Sequence, residues 1–139
     1  MILIISDYHK REDLVIELIS KYQPTHTICC GDGESKLSFY EDNKIISVKG
    51  NCDEAPLPHT TILEIDGKKI LLTHGHLYNV HFDIFKLYLL AKENNCQYVL
   101  YGHTHMQLVE DYEGVTFINP GALKDGNYAL VDNWEIELR

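Results

Sequence analysis

The run Met1-Ile2-Leu3-Ile4-Ile5-Ser6-Asp7-Tyr8-His9 decides the architecture. Its apolar, mostly β-branched opening predicts a strand over Met1–Ser6 buried on both faces. Asp7 and His9 therefore stand just past a strand's C-terminal end. Working outward, Leu14, Val15, Leu18, Ile19 and Tyr22 recur at helical spacing, with Arg11, Glu12, Asp13, Glu17 and Lys21 on the opposite face. Pro24 closes that helix, and Thr25–Cys30 reads as a second strand running into Gly31-Asp32-Gly33. A short helix around Ser35–Tyr40, a strand over Lys44–Lys49 and the pair Gly50-Asn51 complete a βαβαβ opening with right-handed crossovers.

Past Pro56 and Pro58, Thr60–Ile65 and Lys69–Thr73 flank Asp66-Gly67, a hairpin signal. A helix is predicted over about Asp83–Asn94, and the strand Gln97–Tyr101 ends in Gly102-His103-Thr104-His105. Short strands follow at Leu108–Glu110, Val115–Ile118, Asn127–Val131 and Trp134–Leu138, with turns at Gly114, Asn119-Pro120-Gly121 and Asp132-Asn133. No repeat, linker or low-complexity tract interrupts the chain. The expectation is one α/β domain over residues 1–139, a two-sheet αββα sandwich with its helices outside.

A chain of 139 residues with 45% hydrophobic content is sufficient for a single core. Twelve basic against 21 acidic residues give a net charge of −9, which disfavours binding nucleic acid through a basic patch. No apolar stretch is long enough to cross a bilayer and no secretory signal opens the chain, so a cytoplasmic protein without a membrane partner is expected; a homo-oligomer is left open. Cys29, Cys30, Cys52 and Cys96 form no CxxC pair and read as reduced, buried small hydrophobes, with Cys52 the exception. Eight histidines against one tryptophan are an excess that points to metal chemistry.

The unusual polar residues fall in one kind of place. Asp7 and His9 follow the first strand, Asp32 the second, Asn51 the third, His74 the strand Lys69–Thr73, and His103 and His105 the strand Gln97–Tyr101. Ligands bind at that edge in open α/β sheets. Neighbouring Gly31, Gly50, Gly75 and Gly102 let the backbone turn sharply there. Seven ligand-type groups exceed what one ion takes and suit two ions sharing a bridge. Mixed imidazole and carboxylate donors favour Mn, Fe or Zn over Ca or Mg. His26, His59 and His81 read as solvated or structural. His76 reads as a substrate contact, a proton donor or a support for its neighbours.

Asp7-Tyr8-His9, Gly31-Asp32, Gly50-Asn51-Cys52-Asp53, Thr73-His74-Gly75-His76, Gly102-His103-Thr104-His105 and Asn119-Pro120-Gly121 resemble, in order, the motifs of calcineurin-like metallophosphoesterases. The closest likeness is to the small single-domain bacterial and archaeal phosphodiesterases. The resemblance implies one metal held by Asp7, His9, Asp32 and His105, and another by Asp32, Asn51, His74 and His103, with Asp32 bridging. It implies Mn most often, with Ni, Fe or Zn as alternatives. It also implies a phosphate-ester small-molecule substrate cleaved by hydroxide shared between the ions. Four positions depart from the pattern, one of them Ala122, which follows Gly121 where the family often has serine. Lys10 stands where glycine is usual, Cys52 where many relatives carry histidine, and Tyr8 is placed to narrow the site mouth. No insertion is long enough to form a cap, so the groove should be open.

Phosphodiester hydrolysis is the first reading; a phosphomonoesterase or nucleotide pyrophosphohydrolase is the alternative. A non-catalytic metal-binding scaffold, as in a trafficking-complex relative, is disfavoured because every ligand position is filled.

Overall fold

The computed structural model describes residues 1–139. In chain order the elements are β1 (Ile2–Ile5), α1 (Glu12–Tyr22), β2 (His26–Cys29), α2 (Leu37–Asp42), β3 (Ile45–Ser47), β4 (Thr60–Ile65), β5 (Lys68–Thr73), α3 (Phe85–Glu93), β6 (Tyr98–Leu100), β7 (Leu108–Tyr112), β8 (Val115–Asn119), β9 (Ala129–Asp132) and β10 (Glu135–Leu138), with a 3-10 turn at Leu123–Asp125. They build two five-stranded sheets, β10-β9-β1-β2-β3 and β4-β5-β6-β8-β7. β1, β2 and β3 run parallel, with Leu3 opposite Thr27 and Thr27 opposite Ile45. β5 and β6 are likewise parallel, Leu71 facing Val99.

The period of two in β1 explains the layering. Ile2 and Ile4 face the second sheet and pack with Ile28, Ile70, Leu72, Leu100 and Ile118. Leu3 and Ile5 face the other way, against Val15 and Leu18 of α1 and Tyr40 of α2. On the far side, Leu71, Val99 and Phe117 pack under Leu87 and Ala91 of α3. Three apolar layers between four tiers of structure make the αββα sandwich. Because Leu3 is wholly buried, truncating it to alanine should cost about 2–5 kcal/mol.

Two local details at the helix ends have clear causes. The chain leaves α1 one residue before Pro24: Gln23 adopts φ 44° and its N–H bonds to the Ile19 carbonyl. The short helix α2 starts at Leu37 rather than Ser35. Ser35 is occupied elsewhere, its hydroxyl bonding Glu12 Oε2 and meeting the Tyr8 hydroxyl, both at 2.6 Å. Tyr8 accordingly does not narrow the site mouth. Its side chain is fully buried in the core beneath α1 and α2, and its ring lies against Gly33.

Candidate metal centre

The backbone brings the predicted ligands together before any side chain acts. Past the end of β1 and β2 the two segments stay zipped, Asp7 N–H bonding the Gly31 carbonyl at 2.9 Å and His9 N–H the Asp32 carbonyl at 3.1 Å. Past β5 and β6, Gly102 N–H bonds the His74 carbonyl at 3.0 Å. Asp7, His9, Asp32, His103 and His105 all hold left-handed φ values between 41° and 65°. Such angles are uncommon for non-glycine residues and cluster where function over-determines the backbone. Gly50 and Gly102 are needed for a different reason than sharp turning. A Cβ at Gly50 would run into the Asp32 carboxylate, and one at Gly102 into the Ser6 hydroxyl and Asp7.

Six of the seven predicted ligands fall into two triads, Asp7 with His9 and His105, and Asp32 with His74 and His103. Within each triad the donor atoms all lie within 4.8 Å of one another. The triads adjoin, since His74 Nε2 stands 3.1 Å from Asp32 Oδ2 and 3.8 Å from Asp7 Oδ1. Asn51 is exposed at the rim, its amide nitrogen donating to Cys52 Sγ at 3.5 Å.

These residues fit divalent cations. His74 Nδ1 is 2.7 Å from the Cys30 carbonyl, which fixes the proton on that nitrogen and leaves the lone pair on Nε2. Nε2 is buried and misaligned with the nearby Asp32 oxygen, so it has no hydrogen-bond partner. His9 is held the same way, its Nδ1 2.9 Å from Glu34 Oε2. Asp7 and Asp32 are two carboxylates only 0% and 2% exposed. Burying two like charges this deeply calls for compensating positive charge.

The imidazoles differ in their electrostatics. Burial alone would lower the His74 pKa, but Asp32 and Asp7 outweigh it and raise it above the usual value. Burial would likewise raise Asp32, yet His74 and the Cys52 N–H hold it below the usual carboxylate range. His103 is lowered by burial and by His74 and His81, which keeps its lone pair available. His76 is half-buried, its ring centroid 5.5 Å from that of His74, and its pKa is lowered by burial and by His74 and His59.

Several contributors lay outside the sequence reading. His59 and His81 are exposed as expected, but they border the centre, at ring centroid distances of 5.9 Å from His76 and 4.6 Å from His103. Buried Asp53 accepts three backbone N–H groups, from Asp32 at 2.9 Å, Glu34 at 2.8 Å and Gly50 at 2.7 Å. It thereby locks the loop after β2 to the loop after β3. The only signal was its place in Gly50-Asn51-Cys52-Asp53.

The fold and this centre define a class of protein. Residues 1–132 match the calcineurin-like phosphoesterase superfamily domain, and the chain belongs to that family. It is thus a phosphoesterase by family, a hydrolase of phosphate esters associated with divalent metals. Among its relatives is the probable metallophosphoesterase YsnB of Bacillus subtilis, 31% identical over 126 residues that cover 88% of this chain and 75% of YsnB. A predicted phosphoesterase from Streptococcus pneumoniae superposes with a TM-score of 0.84 at 31% identity, over 92% of this chain and 79% of the other. An archaeal phosphodiesterase superposes with a TM-score of 0.79 at 27% identity, over 99% and 98% of the two chains. No helix is long and apolar enough to cross a membrane.

Proposed function

We propose that the protein is a dinuclear-metal phosphodiesterase in which Asp7, His9, Asp32 and His105 hold one ion, and Asp32, Asn51, His74 and His103 the other. The observation that carries this reading is the pair of adjoining triads with the buried, unpartnered His74 Nε2 between their carboxylates. When bound, two divalent ions would acidify a shared water and neutralise charge on the phosphoryl group. The chain's own residues prepare the rest. The Cys30 carbonyl and Glu34 fix the tautomers of His74 and His9 so that lone pairs point inward. Asp53 and the Cys52 N–H, 2.8 Å from Asp32 Oδ1, hold the bridging carboxylate in place. His76, neutral near pH 7, is a substrate contact on the mouth of the second triad.

Mn is the favoured ion for this donor set, with Ni, Fe and Zn as alternatives. A diester is favoured over a monoester because no lysine or arginine belongs to either triad to compensate a dianion there, and the unpaired Lys10 and Lys36 line a cleft to one side. The archaeal phosphodiesterase among the solved relatives supports that choice. The test is hydrolysis of bis(4-nitrophenyl) phosphate and 4-nitrophenyl phosphate by chelator-stripped protein reloaded with Mn²⁺, Ni²⁺, Zn²⁺ or Mg²⁺. A higher kcat/KM for the diester is expected with Mn²⁺. Faster cleavage of the monoester would move the assignment to a phosphomonoesterase.

A further inference from the structure

Beside the metal centre lies a cleft of about 480 Å³ that none of the ligands explains, lined among others by Lys10, Glu34, Lys36, Cys52 and Glu54. Two of its walls are continuous with the centre. Glu34 holds His9 through its carboxylate, and the Cys52 N–H bonds Asp32. The lysines are the unusual part. Both are exposed, and neither has a carboxylate within ion-pair distance, although the chain carries 21 acidic residues against 12 basic. Lys10 also sits at φ 70°, pinned by its N–H to the Gly33 carbonyl at 2.8 Å and by its own carbonyl accepting from Glu12 at 2.8 Å. Glycine would take that conformation without strain, so a lysine there is tolerated against a backbone preference. Two carboxylates line the cleft as well, Glu54 and Glu34, the latter turned to His9, and neither lies within ion-pair distance of the lysines.

We infer that Lys10 and Lys36 form a subsite that recognises a second anionic group, a carboxylate or phosphate, on one organic arm of the phosphodiester substrate. The inference rests on the phosphodiesterase reading and adds the substrate class to it: an ester anionic at two points rather than one. The centre takes the scissile phosphate, and the cleft beside it offers two unpaired ammonium groups to whatever extends from that phosphate.

The test uses the full chain loaded with Mn²⁺ and 4-nitrophenyl diesters that carry a carboxylate on either arm, each compared with its own methyl ester. At low salt the carboxylate form should show about fivefold higher kcat/KM on at least one arm, the scale of partly exposed charge pairs. The ratio should fall toward one in Lys10→Gly and Lys36→Ala and in 1 M NaCl, where screening is nearly complete. Lys86→Ala, which removes a charge from α3 instead, should keep it. Ratios of one or below on both arms, with all four esters hydrolysed, would overturn the subsite. A second measurement separates this from failure of the phosphodiesterase reading. Calorimetric titration of 3-phosphonopropionate against propylphosphonate requires no turnover. Tighter binding of the carboxylated ligand, lost in Lys10→Gly, supports the subsite even if no diester is cleaved; equal affinities refute it.

Discussion

Asp53→Asn is the most searching perturbation of the scaffold because it changes one atom in a buried carboxylate that touches no proposed ligand side chain. Oδ2 accepts from Asp32 and Gly50, at 2.9 and 2.7 Å, while Oδ1 accepts from Glu34 at 2.8 Å. An asparagine can turn its oxygen toward the first pair, but its NH₂ then faces the Glu34 N–H, donor against donor. One charge-assisted bond worth about 2 kcal/mol is lost, and the other two weaken by about 0.5 kcal/mol each once the acceptor is neutral. The sum is about 3 kcal/mol. With an unfolding entropy of about 2.1 cal/mol/K per residue, a chain of this size loses about 10 °C in Tm. Because the same bonds seat Asp32, Mn²⁺ affinity should fall about 10–100-fold, as when a group orienting a ligand is removed. Thermal unfolding by circular dichroism of metal-free protein and calorimetric Mn²⁺ titration measure the two effects separately. A Tm within about 2 °C of the parent, together with unchanged affinity, would refute the view that Asp53 holds the two loops in register.

Three further outcomes follow from the site. Asp32→Asn should weaken both metal-binding events in a calorimetric titration because the proposed sites share its carboxylate, whereas Asn51→Ala should weaken mainly one; equal losses in both events for Asn51→Ala would contradict the proposed partition. In metal-free protein, the raised His74 stabilises fully below about pH 6.5 and loses that contribution as pH rises through its folded value. The depressed Asp32 stabilises above about pH 4 and loses it as pH falls through its folded value. Tm measured with chelator should therefore peak between those limits and decline toward pH 8, and His74→Gln should remove the alkaline decline; an identical decline in both proteins would count against the pair. For Cys52, whose thiol is raised by burial and then by Asp32 and Glu34, proton donation to a leaving group should be weak. Rates should depend steeply on leaving-group pKa, Cys52→Ser should change little, and Cys52→His should flatten the slope; a shallow parental slope abolished by Cys52→Ser would make the thiol the acid.

Much of the architecture is readable in the sequence because β1 carries unbroken apolar residues and every predicted ligand follows a strand. Asp7, Asp32, His74 and His103 are legible for that reason: strand ends are fixed by periodicity, and parallel topology sends them to one edge. What periodicity does not encode is direction after the strand stops. Tyr8 lies between two site residues yet turns into the core, since left-handed angles at Asp7 and His9 reverse the alternation a strand would impose. Asp53 and Glu34 act through backbone amides and an imidazole nitrogen that come from other loops, and no spacing along the chain announces such partners. His81 looks like a solvated residue in sequence, and only the path of the loop between β5 and α3 lays its ring against His103.

Asp7 and His105 meet across 98 positions, and Asp7 reaches the His103 amide across 96. That separation has a consequence for how the protein is made. While the chain emerges from the ribosome, β1, β2 and β3 can pair among themselves, and Asp7, His9, Asp32 and Asn51 are then available with only one imidazole among them. Such an oxygen-rich half-set grips transition metals weakly compared with imidazole-rich coordination. The remaining three imidazoles arrive only after β5 and β6 dock, a long-range step that topology makes slow. The proposed centre is thus completed only once His103 and His105 have been made and β6 has paired with β5, so the strands made first offer a divalent ion no more than a weak, partial set of donors.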